Sequence, residues 1–453
     1  MVPSDDADRG TRGRGEQSLV RALGTWGMAA SIVNITIGGG IFRLPAPIAG
    51  VLGPAAPIAY LVCAVTMGLI VLCFAEAGSR VSLTGGVYAF VDLSLGPAVG
   101  FFAGFMLWSA ITVAAAAVAA FFADALGSLV PVLAAPGVRI PLLIIVLAAL
   151  AALNVVGVRG ASRFNTAVTV AKLVPLVALV VFGSAAVVSS NIVWHAAPPV
   201  RDVARASTLL IFAFLGVESA LAPSGEVRDP RRTIPRAIFI AMAVVTVIYL
   251  TVQIVAQGVL GSTLAGRAAP LADAAGVALG APGRTFVLVG MVVSMFGYVA
   301  GVSLAVPRML FAFARDGYLP SALARVHERF STPYIAIVAQ AAIVIVLSTT
   351  GTFEELAVIA NVATLAVYAA CCVAVLVLRR LESTGTRPAE VAFRAPLGGA
   401  VPVLALVAIG WLLTSLTRLE WTSLAAIAAV ASIIYVGSSR ARRVSRATAE
   451  PAT

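Results

Sequence analysis

The sequence predicts an all-α membrane protein of twelve transmembrane helices, two of them broken. Three observations predict it: an apolar composition, a recurrence of long apolar runs, and glycine interruptions in the first and sixth runs. Of 453 residues, 60% are apolar and 11% charged, with a mean hydropathy of +1.02. A soluble domain averages about 25% charged residues, so water is not the main solvent of this surface.

Apolar runs, each of ~18 or more residues and able to cross a ~30 Å hydrocarbon core, cover the chain. They lie at about 21–50, 54–79, 98–128, 140–158, 161–189, 205–224, 233–260, 284–313, 333–350, 354–378, 400–417 and 420–437. The breaks between them are short and leave no room for a soluble domain. Residues 1–20 are polar and lack an apolar signal core with a small-residue cleavage site, so they are expected to be a disordered tail ahead of a retained first span. Residues 438–453 read the same way.

The net charge of +11 raises nucleic acid as a partner, and the distribution of charge decides against it. With a cytoplasmic start, inner loops and tails hold 23 of the 30 arginines, outer loops hold six, and Arg43 lies within the first span. That asymmetry is the positive-inside rule. It accounts for the basicity and places both termini in the cytoplasm of a cell (inner) membrane protein. Cys63, Cys73, Cys371 and Cys372 fall inside apolar runs without metal-ligand spacing and read as small buried hydrophobes.

The first run contains NITIGGGIFRLPAP, with Gly38, Gly39 and Gly40 mid-span and Pro45 and Pro47 beyond. The sixth contains IFAFLGVESALAPSGEVRDP, with Gly216 mid-run, then Glu218, Ser219, Pro223 and Gly225. Each glycine costs a helix up to ~1 kcal/mol, and open backbone at membrane depth is tolerated only beside protein or a water-filled cavity. Paired interruptions at matching places in two halves point to a transporter site. Where a helix opens, carbonyls and amides lose their partners. Amides around Gly39, Gly40, Ile41 and Phe42 then suit a carboxylate, favoured by the helix dipole. Carbonyls near Ile37 and from Phe214 through Leu215 to Gly216 suit an ammonium. A carboxylate and an ammonium on one carbon define an α-amino acid.

The residues resemble the amino acid–polyamine–organocation transporter superfamily. IGGGIFRLPA is similar to its first-span signature, and FAEAGSRVSLTGGVYAFVDLSLGP to its loop after the second span. FAFLGVESALAPSGEVRDPRRTIPRAI resembles its sixth-span signature, closest to that of the basic amino acid/polyamine antiporters, and ARDGYLP after span eight also fits. The resemblance runs from about 20 to 437. It implies a LeuT-type 5+5 inverted repeat: a ten-helix core over 21–381, with repeats at about 21–189 and 205–381, and two additional helices over 400–437. It also implies that Gly38, Gly39, Gly40 and Ile41 bind substrate carboxylate, that Phe212 is an aromatic gate, and that Glu218 is linked to proton sensing. The antiporters place a tryptophan on span eight against a guanidinium. Counting from DGYLP puts Val302 there, which leaves the substrate class open and leans towards a small or apolar side chain.

Lys172, the single lysine, lies eleven residues into span five, roughly 16 Å along the axis. Snorkelling from that depth is difficult, and an intramembrane ionisable group is a functional candidate by default. In the resemblance this lysine occupies the place of sodium, bridging spans one, five and eight, and its protonation would couple transport to protons. The alternative is a structural lysine satisfied by first-span carbonyls. Two roles are open to Arg43: contact with substrate or with Glu218 across the site, or an outer vestibule position that fixes the half-helix. Glu218 is either a proton carrier or permanently paired. Glu76 with Arg80 at i+4 reads as a structural helix pair, and Asp124 as solvated.

An embedded enzyme would need a cluster of Asp, Glu or His on one membrane face, a channel a re-entrant filter, and a pump a nucleotide-binding loop. None is found in the sequence. The expected function is sodium-independent secondary transport of amino acids by alternating access, proton-coupled or exchanging, with a polyamine/amino acid antiporter as the alternative. No cofactor is expected, and the partners are an amino acid or amine substrate, protons and the lipid bilayer.

Overall fold

The computed structural model describes residues 24–80, 87–156, 161–194, 196–217, 230–384 and 393–449. Glu218 and the rest of the sixth-run motif, through 229, lie outside them. Among the described residues all regular structure is helical. The first apolar run forms three pieces: α1 (Thr25–Thr36), α2 (Gly40–Arg43) and α3 (Pro45–Leu52). The last two are geometrically one helix, because Leu44 between them keeps helical angles (φ −64°, ψ −25°) and its N–H reaches Gly40 O at 2.9 Å. Pro45 and Pro47 supply no N–H to the carbonyls of Ile41 and Arg43, so this helix runs on with two of its i→i−4 bonds missing.

The helices that follow are α4 (Pro57–Arg80), α5 (Val87–Leu95), α6 (Pro97–Leu129), α7 (Pro136–Val156), α8 (Ala161–Gly183) and α9 (Val200–Phe214). After these come α10 (Pro230–Leu260), α11 (Pro270–Ala305), α12 (Pro307–Arg315), α13 (Tyr334–Thr350), α14 (Phe353–Ser383), α15 (Ala400–Leu413) and α16 (Arg418–Ala449). Seven described segments are long and apolar enough to cross a membrane, and they coincide with runs two, three, four, seven, eight, ten and twelve. Runs one, nine and eleven fall on shorter or interrupted helices, run five on the continuous 23-residue α8, and run six on α9, which stops at Phe214. A non-helical Gly280 (φ 75°, ψ −172°) kinks α11, so a short helix over 270–279 precedes the helix of run eight, which starts just beyond Gly280, close to the expected 284. The last helix runs past 437 to Ala449 through a stretch rich in alanine and arginine, both strong helix formers.

Burial sorts the long helices. α6 is the most enclosed, whereas α7 and α16 leave most of their apolar surface uncovered, as lipid-facing helices do. α14 packs extensively on α6, whose buried middle includes the small-residue run Ala114–Ala115–Ala116–Ala117. The four cysteines are free and buried.

Several charged groups near the helix ends are paired. Asp124 is exposed, as expected, and also accepts from Arg139 Nε at 3.0 Å, because α7 returns beside the end of α6. Arg205 reaches Glu420 at 2.7 Å, and Arg284 reaches Asp273 at 3.1 Å. Glu76, fully buried, takes both prongs of Arg379, with Nε to Oε1 at 2.7 Å, and the Ala395 N–H at 2.9 Å. The expected partner, Arg80, has a side chain outside the described residues. The tie found here joins α4 to α14, a contact that no i+4 spacing reveals. Removing one member of a buried pair costs about 3–5 kcal/mol. Arg379→Ala is therefore expected to lower the melting temperature of the detergent-purified protein markedly, and an unchanged melting curve would contradict this account of the α4–α14 joint.

Candidate functional site

α1 stops where its glycines begin. The Ile37 N–H still reaches Val33 O at 2.9 Å, but the Gly38 N–H turns to Thr36 O at 2.8 Å instead of continuing to Asn34 O. Ile37 itself has φ −76° and ψ 78°, and helix resumes at Gly40. The Asn34 carbonyl, released by that turn, accepts a hydrogen bond from the Lys172 ammonium. Lys172 is buried, and this bond ties α8 to the end of α1.

α9 stops in a comparable way. Phe214 is its last helical residue, Leu215 is extended (ψ 146°) and Gly216 has φ +110°, a conformation other residues rarely adopt. A Cβ at Gly216 would lie 2.8 Å from Ile35 Cγ2 and 3.2 Å from Thr36 N. A Cβ at Gly40 would lie 3.0 Å from Phe212 Cδ1 and 3.1 Å from Ala213 Cα. The two interruptions therefore meet, backbone against backbone. The Tyr249 hydroxyl of α10 joins them, 3.0 Å from Thr36 O and 2.8 Å from Ala213 O, with its one proton shared between the two acceptors.

The walls around the glycines are apolar. The Gly39 position faces Met295 at 3.2 Å and Val118 at 3.3 Å, and the Gly38 position faces Tyr298 at 3.5 Å. Val302, assigned from sequence to the span-eight position facing substrate, instead lines a separate small cavity with Asn154 and Gln340. It lies one helical turn beyond Tyr298, which itself faces the break. Ile37, Ile41 and Phe42 are completely buried. Phe214 turns its ring edge-on to Tyr249 at 5.3 Å, away from Phe212.

Three phenylalanines cap this region. Phe212 meets Phe353 edge-to-face at 5.3 Å, and Phe353 meets Phe121 at 5.4 Å. The Arg43 guanidinium stands 5.7 Å from the Phe121 ring centre, within cation–π reach. Its Nε donates to Glu354 Oε1 at 2.8 Å and its Nη1 to Ala268 O at 2.7 Å. A cavity of about 180 Å³ borders this pair. Arg43 is thus held by Glu354 and the Ala268 carbonyl, and Glu218, the other partner expected for it, lies outside the described residues. Among the described residues no three His, Cys, Asp or Glu side chains gather as metal ligands.

Sequence reasoning missed Tyr249, Asn34, Met295, Tyr298 and Glu354. Tyr249, Gln253 and Gln257 recur at i, i+4 and i+8 in the mainly apolar second half of α10, a buried polar stripe that could have drawn notice. Tyr249→Phe removes only the hydroxyl, leaving two buried carbonyls with one donor fewer. A net loss of ~1 kcal/mol predicts uptake reduced about 5- to 10-fold in proteoliposomes with expression unchanged, and full activity would remove Tyr249 from the site.

The amino acid permease family pattern matches residues 23–438. A branched-chain amino acid permease of Bacillus subtilis is 30% identical over 439 residues, 90% of each chain. A serine/threonine exchanger of that organism is 27% identical over 403 residues, 86% of this chain and 90% of the relative. A methylthioribose transporter from the same source is 26% identical over 442 residues, 94% of each. These relatives are transporters, and the chain is a multi-pass membrane protein of that kind rather than an enzyme. It belongs to the amino acid permease family of the amino acid–polyamine–organocation superfamily.

Proposed function

We propose that the chain is a sodium-independent secondary transporter of neutral α-amino acids, working by alternating access in the cell (inner) membrane with both termini cytoplasmic. The observation that carries this reading is the meeting of the two interruptions, Gly216 against the Ile35–Thr36 backbone and Gly40 against Ala213. The twelve apolar runs then act as twelve spans, ten of them in a 5+5 inverted repeat over 21–381, with 400–437 added.

In this reading the amides of Gly39, Gly40 and Ile41 hold the substrate carboxylate at the start of the helix running over 40–52. Carbonyls of Ile37, Phe214 and Leu215 hold the ammonium. Both use charge-assisted hydrogen bonds, which are shorter and stronger than neutral ones. Phe212 closes the site from outside. The side chain projects among Val118, Met295 and Tyr298, walls without charge to match a guanidinium or a polyamine, and this supports an apolar side chain. The branched-chain permease among the relatives agrees with that preference. Lys172, fixed on Asn34 O, stands in for a coupling cation, and Glu218 is the second candidate to carry the proton.

The test is uptake into proteoliposomes from a panel of amino acids, polyamines and methylthioribose, with sodium replaced by choline. Saturable uptake of branched or small apolar amino acids, unchanged by choline, supports the proposal. Uptake of polyamines or methylthioribose alone overturns the substrate class. Dependence on an imposed proton gradient selects coupling, and counterflow without a gradient selects exchange.

A further inference from the structure

A buried polar joint crosses the bundle away from the glycines. Gln340 of α13, almost fully buried, accepts from Trp108 Nε1 at 2.9 Å and donates through Nε2 to Thr112 Oγ1 at 3.0 Å. Trp108 and Thr112 both belong to α6. Gln340 also lines the small cavity beside Val302, together with Asn154 of α7 and Ser303 of α11. The Asn154 Nδ2 atom is buried and has no acceptor within the protein.

We propose that this cavity is a binding site for one internal water molecule, which accepts from Asn154 Nδ2 and donates to Gln340 Oε1. Size is the first reason. The space open to the centre of a water molecule is about 10 Å³, and a single water needs ~10–15 Å³ on that measure. A lipid chain or an amino acid does not fit. Chemistry is the second reason. An amide N–H donor calls for an acceptor and repels a cation, and no charged side chain lines the cavity to hold an anion. Gln340 Oε1 takes one bond from Trp108 and has a second lone pair for a water proton. The Ser303 hydroxyl offers a third partner, and buried waters typically make about three hydrogen bonds. A bridging water is nearly as good as a direct bond, whereas a buried donor left bare is destabilising.

The water joins four helices. Near its start α7 is tied to α6 by Arg139, which reaches Asp124 and the Ala120 carbonyl. Asn154 lies fifteen residues further on, ~22 Å along the axis, and the water supplies a second tie there. Ala115 and Val302 also line the cavity, each about one turn from Val118 and Tyr298, which face the glycines. The water therefore sits behind the apolar wall of the central site, and its place does not depend on which substrate is carried.

The test begins with a structure of the full chain in lipid nanodiscs at a resolution that shows ordered water. The expected result is one compact density peak within ~3.2 Å of Asn154 Nδ2 and of an oxygen of Gln340 or Ser303. A cavity without density, an Asn154 amide turned onto a protein acceptor, or an elongated lipid or detergent peak overturns the proposal. Melting temperatures of Ala115→Val, alone and combined with Asn154→Ala, give an independent answer. Valine at 115 takes up the space and expels the water, which strands the Asn154 amide. The melting temperature should then fall by about 1–4 °C, and the same change should cost nothing once Asn154 is alanine. A like effect of Ala115→Val in both backgrounds, in either direction, would mean that filling the cavity strands nothing and would overturn the water site.

Discussion

Replacing Lys172 with alanine is expected to reduce uptake about 10- to 100-fold, the factor that corresponds to losing a charged hydrogen bond worth ~1.5–3 kcal/mol. The remaining uptake should no longer respond to pH. The Asn34 carbonyl is the first to be released where α1 opens, and the ammonium takes it up from α8. Without the lysine that carbonyl stays buried without its cationic partner, and the end of α1 loses its link to span five. Two readouts separate the roles open to this residue. A purely structural lysine predicts reduced uptake with the pH profile intact, whereas a coupling lysine predicts a flattened profile. Unchanged, pH-dependent uptake in Lys172→Ala proteoliposomes would remove Lys172 from the mechanism altogether.

How much of this was legible in the sequence depends on whether a residue breaks a local rule. Gly38–Gly40, Gly216 and Lys172 stood out because a membrane helix has local reasons to avoid them: backbone that opens, and a charge too deep to snorkel. The positions of the long apolar helices followed from length and hydropathy alone. The partners did not, because pairing across the bundle has no local signature. Asn34 is distinguished only by which carbonyl the turn at Gly38 releases. Met295 and Tyr298 are apolar or aromatic residues on an apolar helix, and counting from a distant motif chose Val302 one turn away. Glu354 was hidden by its surroundings, since it sits inside a Thr352–Glu355 capping box, where acids are expected at a helix start for their own reasons. Arg43 was recognised as unusual, but its partner lies 311 positions away. Glu218 falls outside the described residues, so its part in coupling rests on the resemblance and on the proposal.

The glycines themselves should rank by what each would meet on gaining a methyl group, and not by their position in the motif. Gly38→Ala places its Cβ at an ordinary 3.5 Å from a Tyr298 ring carbon, and uptake should stay within a few-fold of wild type. Gly39→Ala presses on Met295 at 3.2 Å and Val118 at 3.3 Å. These are side chains, and Met295 can adjust, so a moderate loss is expected, mainly as a higher KM for the bulkiest substrates. Gly40→Ala meets Ala213 Cα at 3.1 Å, which moves only if α9 moves with it. Gly216→Ala is the most severe. It combines a contact of 3.2 Å with Thr36 N with a φ of +110°, and backbone held in such a region costs a side-chain-bearing residue about 1–3 kcal/mol. Uptake by Gly216→Ala should fall at least ~10-fold. Gly53→Ala is the control, since Gly53 also has positive φ (+55°) but nothing lies within 4 Å of its Cβ position, so strain acts there without a clash. Equal transport by the Gly38, Gly40 and Gly216 variants, at equal expression, would show that the close approach of the two interruptions is not what the site requires.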